Sequence, residues 1–591
     1  MAEGITKGDD PRQLSGWRLL AVYFLWAALL TFPAILHPFE LVPGSDRTDI
    51  WNSMWSLWVV EDALTSGRLP WHVEGLDWPN GGDLLVNDPL NGLLFTPLIA
   101  LFGISFGYTA LVLFHVTFSG FAAHLLSRRL HSSDFGGLVA GLSFAAAPVL
   151  ISGVHNGTSE VIGAGWLCLA VLAVVKALDE GGRRTILLAG AALTVVCIAG
   201  WYYGVAAWLM FGVFVLLGGT RALLSTRLRR ALAIGGFAAL LVVPWAAFTV
   251  SGMTDTGQVG IKNDRELNTV RRGTGAAAPA GWFIPGDWRS PDFRELSRDG
   301  EEFIHCHYLG WALIVLGIIG FRRGGRWRWA LAVTGAIGWF LAMGPVATHG
   351  GTPIIFGDRL AFPLPYFLLE SLPGFSSLSI LFRFAVLPSL ALSLLAGAAV
   401  VGRSPRSAAL IAAVVLLELR LASPVAGLPA VATAAPPAPI EALADMPAGA
   451  VISFPVVGGR RYLFDQSTHG KPVAAQLNFP INRASRKIWR ELERRGSNVQ
   501  RRLERAASES RQVACPSEGE RSPCGAGGEL TMVSRGSSDA PICRCTEGVR
   551  YLTVYDDPTA RPDRYDVGVE LVEANFPLVA EGDGVRVFQL W

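Results

Sequence analysis

The chain has 591 residues, of which 51% are apolar and only 17% are charged, and its mean hydropathy is +0.38. Soluble domains carry about 25% charged residues, so this composition excludes a soluble enzyme. The formal net charge of +2 gives no argument for nucleic-acid binding. Apolar runs fill residues 17–423, whereas residues 424–591 have the composition of a water-soluble domain. We therefore predict one membrane domain followed by one soluble domain.

Eleven apolar runs approach the length of about 20 residues that a helix needs to cross a bilayer. They are residues 17–36, 104–126, 135–153, 158–178, 186–200, 202–219, 231–250, 308–321, 329–345, 380–402 and 408–423. The first run follows a polar segment, residues 1–16, and no small-residue cleavage site comes after it. We interpret it as a retained membrane span and not as a signal peptide.

Arginine residues between these runs predict the orientation. If the N-terminus is cytoplasmic, every second gap is also cytoplasmic, and positive charge should concentrate there. These gaps hold Arg128, Arg129, Arg183, Arg184, Arg221, Arg227, Arg229, Arg230, Arg322, Arg323, Arg326, Arg403 and Arg406, and Arg420 is an exception. The same rule requires two helices, hinged at Gly200–Gly204, within residues 186–219. The loops 37–103, 251–307 and 346–379 and the C-terminal domain are then predicted to face the outside.

Four cysteines lie close together in the predicted C-terminal domain. They are Cys515, Cys524, Cys543 and Cys545. An oxidising compartment would permit two disulfides among them, with three possible pairings. A zinc site is the alternative, although the Cys-x-Cys and nine-residue spacings are not those of zinc ribbons.

The first external loop begins with a tryptophan-rich helical pattern. Trp51, Trp55 and Trp58 are spaced by four and three residues and share one helical face. Such an aromatic stripe is typical of a helix at the membrane interface. Just before it, Asp46 and Asp49 would face the same side of the helix N-terminus, where capping is the alternative to a chemical role.

The order of motifs along the chain resembles that of one superfamily. Gly44–Asp46 follows the first span, and the Trp-rich helix, Gly67–Pro70, Trp78–Gly81 and the short apolar run 93–102 come next. That run is too short to span and suits a re-entrant or interfacial element. Later matches are His155–Trp166, Tyr308–Gly310, Met343–Pro345, Leu364–Phe384, Gly548–Leu552 and Val585–Trp591. Together these motifs resemble the GT-C superfamily of polytopic membrane glycosyltransferases, in particular a bacterial branch of it.

The resemblance implies both a fold and a reaction. The fold would be an α-helical polytopic membrane protein of about 11 transmembrane helices with a small C-terminal α/β extracytoplasmic domain, in a bacterial plasma membrane. The donor would be a sugar on a polyprenyl phosphate, and the acceptor an envelope glycan, lipid or protein. Transfer needs a carboxylate to accept or orient the proton of the acceptor hydroxyl, and a cation to stabilise the departing phosphate. The acidic residue of the superfamily's first loop maps onto Asp46, our candidate base, with Asp49 as the second candidate.

Further acids and histidines are candidates for binding the acceptor or a metal. They are Asp88, Glu160, Glu302, His305 and His307. Glu160 opens the fourth apolar run, where a carboxylate is costly unless it is paired or reaches water, and stabilisation by the helix dipole is the alternative. Carboxylates and imidazoles suit a divalent metal such as Mg²⁺ or Mn²⁺, whereas interfacial histidines are also common without one.

Arginine is the predicted phosphate ligand because its guanidinium binds phosphate in a bidentate manner. Arg383 is the first candidate, since the resemblance has an arginine at this position, and Arg271 and Arg272 are alternatives. His115 and Glu418 fall within apolar runs, where we expect them to form hydrogen bonds inside the helix bundle.

Two other functions compete with glycosyl transfer. A glycolipid transporter or flippase would fit a polytopic chain, but we find no inverted repeat of the kind that transporters carry. A non-catalytic scaffold for envelope assembly would use the same acids only as helix caps.

Overall fold

The computed structural model describes residues 16–78, 81–83, 88–219, 224–254, 275–288, 303–323, 325–349, 352–353, 355–356, 360–370, 372, 375, 378, 380–422, 429–454, 460–475, 512–514, 530–535, 541–545, 549–555 and 576–589. Several predicted site residues lie outside this part of the chain. They are Arg271, Arg272, Glu302, Cys515 and Cys524.

The described chain is mostly helical, and a helix occupies each of the eleven predicted apolar runs. The helices are α1 (Gly16–Leu30), α2 (Ile50–Thr65), α3 (Pro89–Phe102), α4 (Ile104–His131), α5 (Asp134–Ala145), α6 (Pro148–His155), α7 (Ser159–Ile162), α8 (Gly165–Glu180), α9 (Arg183–Ala199), α10 (Trp201–Leu217), α11 (Leu224–Thr254), α12 (Trp311–Arg323), α13 (Arg328–Ala342), α14 (Tyr366–Leu369), α15 (Val386–Val400), α16 (Pro405–Leu421), α17 (Ala438–Asp445) and α18 (Arg461–His469). Gly200 is extended between α9 and α10, so residues 186–219 form two helices as predicted.

Four described helical segments are long and apolar enough to cross a membrane. They are Ile104–His131, Ser159–Glu180, Leu224–Thr249 and Leu381–Val400. The helices α5 and α6, bent by 42°, together make a fifth candidate, and several shorter apolar helices accompany them. The chain is therefore a helical membrane protein, and the number of eleven spans stays a prediction.

Arginines from three of the segments between apolar runs lie around Asp179, at the C-terminal end of α8. Arg129 and Arg326 each place a guanidinium nitrogen near the Asp179 carboxylate, at 3.2 and 2.5 Å. Arg230 donates a hydrogen bond to the Asp179 backbone carbonyl at 2.9 Å. Gaps that the charge rule assigns to one side of the membrane thus lie together in space. Which compartment that side faces stays a prediction.

The strands are short and lie mainly in the C-terminal part of the chain. They are β1 (Leu41–Pro43), β2 (His72–Val73), β3 (Gly82–Asp83), β4 (Thr348–His349), β5 (Thr352–Pro353), β6 (Ile355–Phe356), β7 (Leu360–Ala361), β8 (Val431–Thr433), β9 (Ala450–Phe454), β10 (Gln512–Ala514), β11 (Leu530–Arg535), β12 (Pro541–Cys545), β13 (Val549–Tyr555), β14 (Leu578–Gly582) and β15 (Val585–Gln589). The largest sheet has the order β14-β15-β13-β9, in which only β9 and β13 are parallel.

The remaining pairings include a contact between the first loop and the C-terminal part of the chain. Strands β10, β12 and β11 form a second, antiparallel sheet. Strand β1, in the first loop, pairs with β8 of the C-terminal segment, the name we use for residues 429–589. Cys543 and Cys545 lie in β12, and the cysteines described with their side chains, Cys168, Cys197 and Cys306, are free and buried. The disulfides of the C-terminal segment stay a prediction.

Two of the three tryptophans of α2 are buried against protein and not exposed to a membrane interface. Trp51 and Trp55 are 1% and 0% exposed. The Trp55 indole donates to Gln466 at 2.9 Å, and the Trp51 ring packs against Phe464 with ring centroids 5.1 Å apart. The prediction of an interfacial stripe is therefore wrong for these two residues. A buried indole needs apolar contact and an acceptor for its N–H. Helix α18 of the C-terminal segment supplies the acceptor for Trp55, whereas a backbone carbonyl of the first loop supplies the one for Trp51.

Glu418 on α16 satisfies the first turn of a neighbouring helix. Its carboxylate accepts hydrogen bonds from the backbone N–H groups of Trp311 and Ala312 at 2.6 and 2.8 Å, and from the Tyr308 hydroxyl at 2.7 Å. The first N–H groups of a helix have no partner within that helix, so Glu418 fills this need for α12. The predicted hydrogen bonding of this acid inside the bundle is confirmed.

Substitution of Glu418 tests this interhelical cap. Glu418→Gln replaces one acceptor oxygen with a donor that faces the backbone N–H groups, and we expect a loss of about 1–3 kcal/mol in unfolding free energy. The measurement is thermal unfolding of the purified protein in detergent. Glu581→Gln, on the exposed face of β14, is the control and should leave the melting temperature unchanged. Equal melting temperatures for both variants would contradict the capping role.

Candidate functional site

The turn after α6 is joined to the start of α2 by hydrogen bonds. The donors come from the segment 45–53, and the acceptors are backbone carbonyls of residues 155–157. These bonds are Ser45 N to His155 O at 2.9 Å, Asp49 N to Asn156 O at 3.1 Å, and Ser53 Oγ to Gly157 O at 2.6 Å. They place the N-terminus of α2 beside the N-terminus of α7, and so bring two acidic segments of the sequence together.

Two glycines allow this close approach. Gly157 has φ of +65°, and a Cβ at this position would come within 2.5 Å of the Ile50 backbone. Gly44 has φ of +129°, and its Cβ would lie 2.4 Å from the Ile50 side chain. Only glycine combines this backbone conformation with so little space. The sequence therefore specifies the junction between the first loop and the turn after α6.

Asp49 forms an ion pair with a residue 411 positions away in the sequence. It occupies the N-cap position of α2, but its side chain makes no capping hydrogen bond. Instead, its carboxylate pairs with the Arg460 guanidinium of the C-terminal segment. Capping, the alternative to a chemical role, is thus not what the Asp49 side chain does.

Glu160 and Arg383 form a second ion pair close by. Glu160 lies in the first turn of α7, and Arg383 lies in the 3-10 turn Leu381–Ala385 that precedes α15. The Arg383 guanidinium also lies over the Tyr202 ring, 5.1 Å from its centroid. Pairing explains how a carboxylate and a guanidinium are tolerated at the edge of apolar helices.

Asp88 is a half-buried acid at the start of α3. It accepts hydrogen bonds from the Asn91 backbone N–H and side-chain amide, at 3.4 and 2.6 Å. Burial raises the pKa of Asp88 to about 6, while hydrogen bonds from Ser159 and Asn91 oppose this change and the nearby Glu160 adds to it. The Asn91 side chain is also hydrogen-bonded to His115, with its Oδ1 at 2.7 Å from the His115 Nε2. His115 thus forms the hydrogen bond inside the bundle that the sequence predicted.

These side chains interact as one group, which we call the acid–arginine cluster: Asp49, Asp88, Glu160, Arg383 and Arg460. Beyond the two ion pairs, Asp49 acts electrostatically on Arg383, and Glu160 acts on Asp88. The structure thus brings together the second candidate base, two predicted acceptor or metal ligands and the predicted phosphate ligand. Arg460 was not predicted, because its contact with Asp49 joins residues 411 positions apart.

Other predicted residues lie near the cluster or apart from it. Asp46 is exposed, and its backbone carbonyl accepts the Trp51 indole N–H at 2.7 Å. His305 is buried and stacks on Phe382, the neighbour of Arg383, with ring centroids 4.1 Å apart. His307 is also buried, and its Nε2 donates to the Ala278 carbonyl at 2.8 Å.

The described part of the chain holds no set of donors that fits a divalent metal. Among the described residues no group of three His, Cys, Asp or Glu side chains could hold a metal ion. Asp49 and Glu160, the acids best placed for one, are each paired with an arginine. We therefore assign no step to a metal, and the predicted Mg²⁺ or Mn²⁺ stays a prediction.

Comparison with known proteins shows the fold. No protein-family model matches the sequence, and no curated protein matches it. Among solved structures, the arabinofuranosyltransferase AftD from mycobacteria aligns with a TM-score of 0.50 at 16% identity, over 98% of this chain and 42% of that one. The chain thus spans less than half of the length of AftD. This likeness shows the fold alone, and this fold agrees with the one that the motif resemblance predicted.

Two further solved structures align along most of this chain. ArnT from Cupriavidus metallidurans in the apo state matches with a TM-score of 0.47 and 12% identity, over 98% of each chain. The oligosaccharyltransferase AglB from Archaeoglobus fulgidus, in complex with an inhibitory peptide and a dolichol-phosphate, matches with a TM-score of 0.47 and 12% identity, over 91% of this chain and 69% of that one.

The raised pKa of Asp88 predicts a pH dependence of stability. Between about pH 4, the ordinary range of an aspartate, and about pH 6, the folded protein holds a proton that the unfolded chain has lost. Stability should therefore fall as pH rises through this window, by about 3 kcal/mol, and stay level above it. Asp88→Asn should remove this fall.

The measurement is the melting temperature in detergent from pH 4 to pH 7, compared between the wild type and the variant. Asp583→Asn, at an exposed aspartate, is the control and should keep the wild-type slope. A wild-type slope in Asp88→Asn as well would show that other groups cause the dependence.

Proposed function

We propose that the chain is a membrane glycosyltransferase that moves a sugar from a polyprenyl-phosphate-linked donor to an envelope acceptor at the outer face of the membrane. The observation that carries this proposal is the acid–arginine cluster, which combines carboxylates and guanidinium groups at one site of a GT-C fold. The matched structures support it, since one ArnT structure is bound to undecaprenyl phosphate and one AglB structure holds a dolichol-phosphate.

The position of the cluster along the helix bundle supports an outward-facing site. Glu160 and Asp179 lie near opposite ends of the candidate span Ser159–Glu180. At 1.5 Å per residue they are about 28 Å apart along this segment, close to the thickness of a bilayer core. The arginine-rich end around Asp179 is expected in the cytoplasm, so the cluster and the C-terminal segment would face the outside of a bacterial plasma membrane.

In the proposed reaction, Asp49 acts on the acceptor. An acceptor hydroxyl attacks the anomeric carbon of the donor sugar, the bond from that carbon to the phosphate oxygen breaks, and the hydroxyl proton passes to a carboxylate. We favour Asp49 over Asp46 as this carboxylate, because Asp49 lies within the cluster whereas the Asp46 side chain is exposed. Asp88 and Glu160 would then orient the acceptor and the arginines.

Arg383 is the proposed cation for the departing phosphate. Its Nη1 pairs with Glu160, while its Nε is buried and has no hydrogen-bond partner in the described part of the chain. A guanidinium next to the broken bond stabilises the negative charge that develops on the phosphate.

Substitution of Asp49 tests the proposal. The purified protein, reconstituted in liposomes with polyprenyl-phosphate sugar and envelope acceptor, should transfer the sugar. Asp49→Asn should reduce the transfer rate at least about 100-fold, the contribution of a general base. Asp62→Asn is the matched control, because Asp62 lies on the same helix in an exposed pair with Arg68 and should keep full activity.

Full activity of Asp49→Asn would contradict the role of this residue, and full activity of Asp46→Asn would support the choice between the two acids. Movement of the glycolipid across the liposome membrane without any transfer would favour the flippase alternative instead.

A further inference from the structure

The C-terminal segment brings a guanidinium to the first loop through an unusual backbone conformation. Arg460 precedes α18 with φ of 60° and ψ of 37°, in the left-handed region that residues other than glycine rarely adopt. Its side chain is 11% exposed and pairs with Asp49. Strained backbone of this kind persists where the surrounding structure fixes it, and it concentrates at functional sites.

The neighbouring Arg461 anchors the start of α18, directly after this residue. Its guanidinium donates to the Asp465 carboxylate at 2.9 Å and to the backbone carbonyls of Thr433 and Ala435 at 2.9 and 2.8 Å. It also lies over the Trp51 ring, 4.1 Å from the centroid. Arg461 thus ties α18 to β8 and to α2 at once, and the left-handed turn at the preceding residue directs Arg460 to Asp49.

The docking of the C-terminal segment on α2 has other support. Trp51 and Trp55 are buried there, and the Trp55 indole is hydrogen-bonded to Gln466. The contact between these parts of the chain does not depend on one ion pair at its edge. Docking alone therefore does not explain why Arg460 keeps a strained backbone conformation. We expect its guanidinium to act within the candidate site.

We propose that Arg460 is a positioning residue: the C-terminal segment uses it to hold the Asp49 carboxylate in the orientation that the transfer reaction needs. The candidate site is then complete only when the C-terminal segment is docked on the first loop. Asp49 and the Glu160–Arg383 pair lie on either side of the turn 155–157, so a fixed Asp49 carboxylate stays next to the proposed phosphate ligand. The inference rests on the proposed function for its effect on turnover.

The variant Arg460→Gly removes the guanidinium group while keeping the backbone conformation at this position. Glycine adopts the left-handed conformation without strain, so the melting temperature in detergent should not fall. Loss of a charge-assisted contact should lower kcat by about 10- to 100-fold with little change in KM. Asp583→Gly is the matched control, because Asp583 also has positive φ, of 50°, and lies in an exposed turn of the same segment.

Added guanidinium ion and the Lys variant identify the missing group. Millimolar guanidinium should restore part of the activity of Arg460→Gly and none of that of Asp49→Asn, and Arg460→Lys should keep an intermediate rate. Full activity of Arg460→Gly, or a loss of activity that only follows a lowered melting temperature, would overturn the proposal.

A measurement without turnover keeps this inference distinct from the proposed function. In D49C, the thiol at position 49 is treated with anionic or cationic methanethiosulfonate reagents, and its modification is followed by mass spectrometry. A guanidinium beside the thiol should favour the anionic reagent, and Arg460→Gly in the same background should lower the ratio of the two rates on the order of 10-fold.

An unchanged ratio would overturn the placement of Arg460 even if sugar transfer is found. A changed ratio in a protein that transfers no sugar would contradict the proposed function and leave the contact between Arg460 and position 49 established.

Discussion

A charged side chain in the hydrocarbon of a bilayer is costly unless it is paired or reaches water. This constraint explains where the few charges of the membrane domain lie. At one end of the bundle, arginines from several gaps share the Asp179 carboxylate and nearby carbonyls. At the other end, Glu160 is paired with Arg383 and Asp49 with Arg460. The apolar helices between them leave these two ends as the places where polar chemistry can occur.

The first loop joins the membrane helices to the C-terminal segment. Its helix α2 is held from one side by the turn after α6, through backbone hydrogen bonds that Gly157 permits, and from the other side by α18. Strand β1 pairs with β8 in the same region. A loop bound on both sides holds its acids in fixed positions, which a site for group transfer requires.

The sequence predicts the helices well because hydrophobic length and the placement of arginine are local signals. Each apolar run contains a helix, and the charge rule correctly divided residues 186–219 at Gly200. Periodicity alone also identifies a buried face, but not what covers it. The tryptophan pattern of α2 therefore suggested the membrane interface, while the structure buries Trp51 and Trp55 against α18.

The candidate site was predictable only in part, because sequence patterns report local properties and not contacts between distant segments. Asp49, Asp88, Glu160 and Arg383 stand out as charges beside apolar runs, and motif resemblance placed them in one reaction. Their pairing depends on contacts between distant parts of the chain, which no local pattern encodes. Arg460 had no local signal at all, since it lies in a polar stretch of the C-terminal segment and meets Asp49 only through the docking of α18.

The most direct test of this account is a cryo-EM structure of the protein in lipid nanodiscs with a bound polyprenyl phosphate. The account predicts the phosphate within hydrogen-bond distance of the Arg383 guanidinium, on the side of the bundle that carries Asp49 and the C-terminal segment. A phosphate bound instead at the arginine-rich end around Asp179 would contradict the assignment of the acid–arginine cluster as the site of sugar transfer.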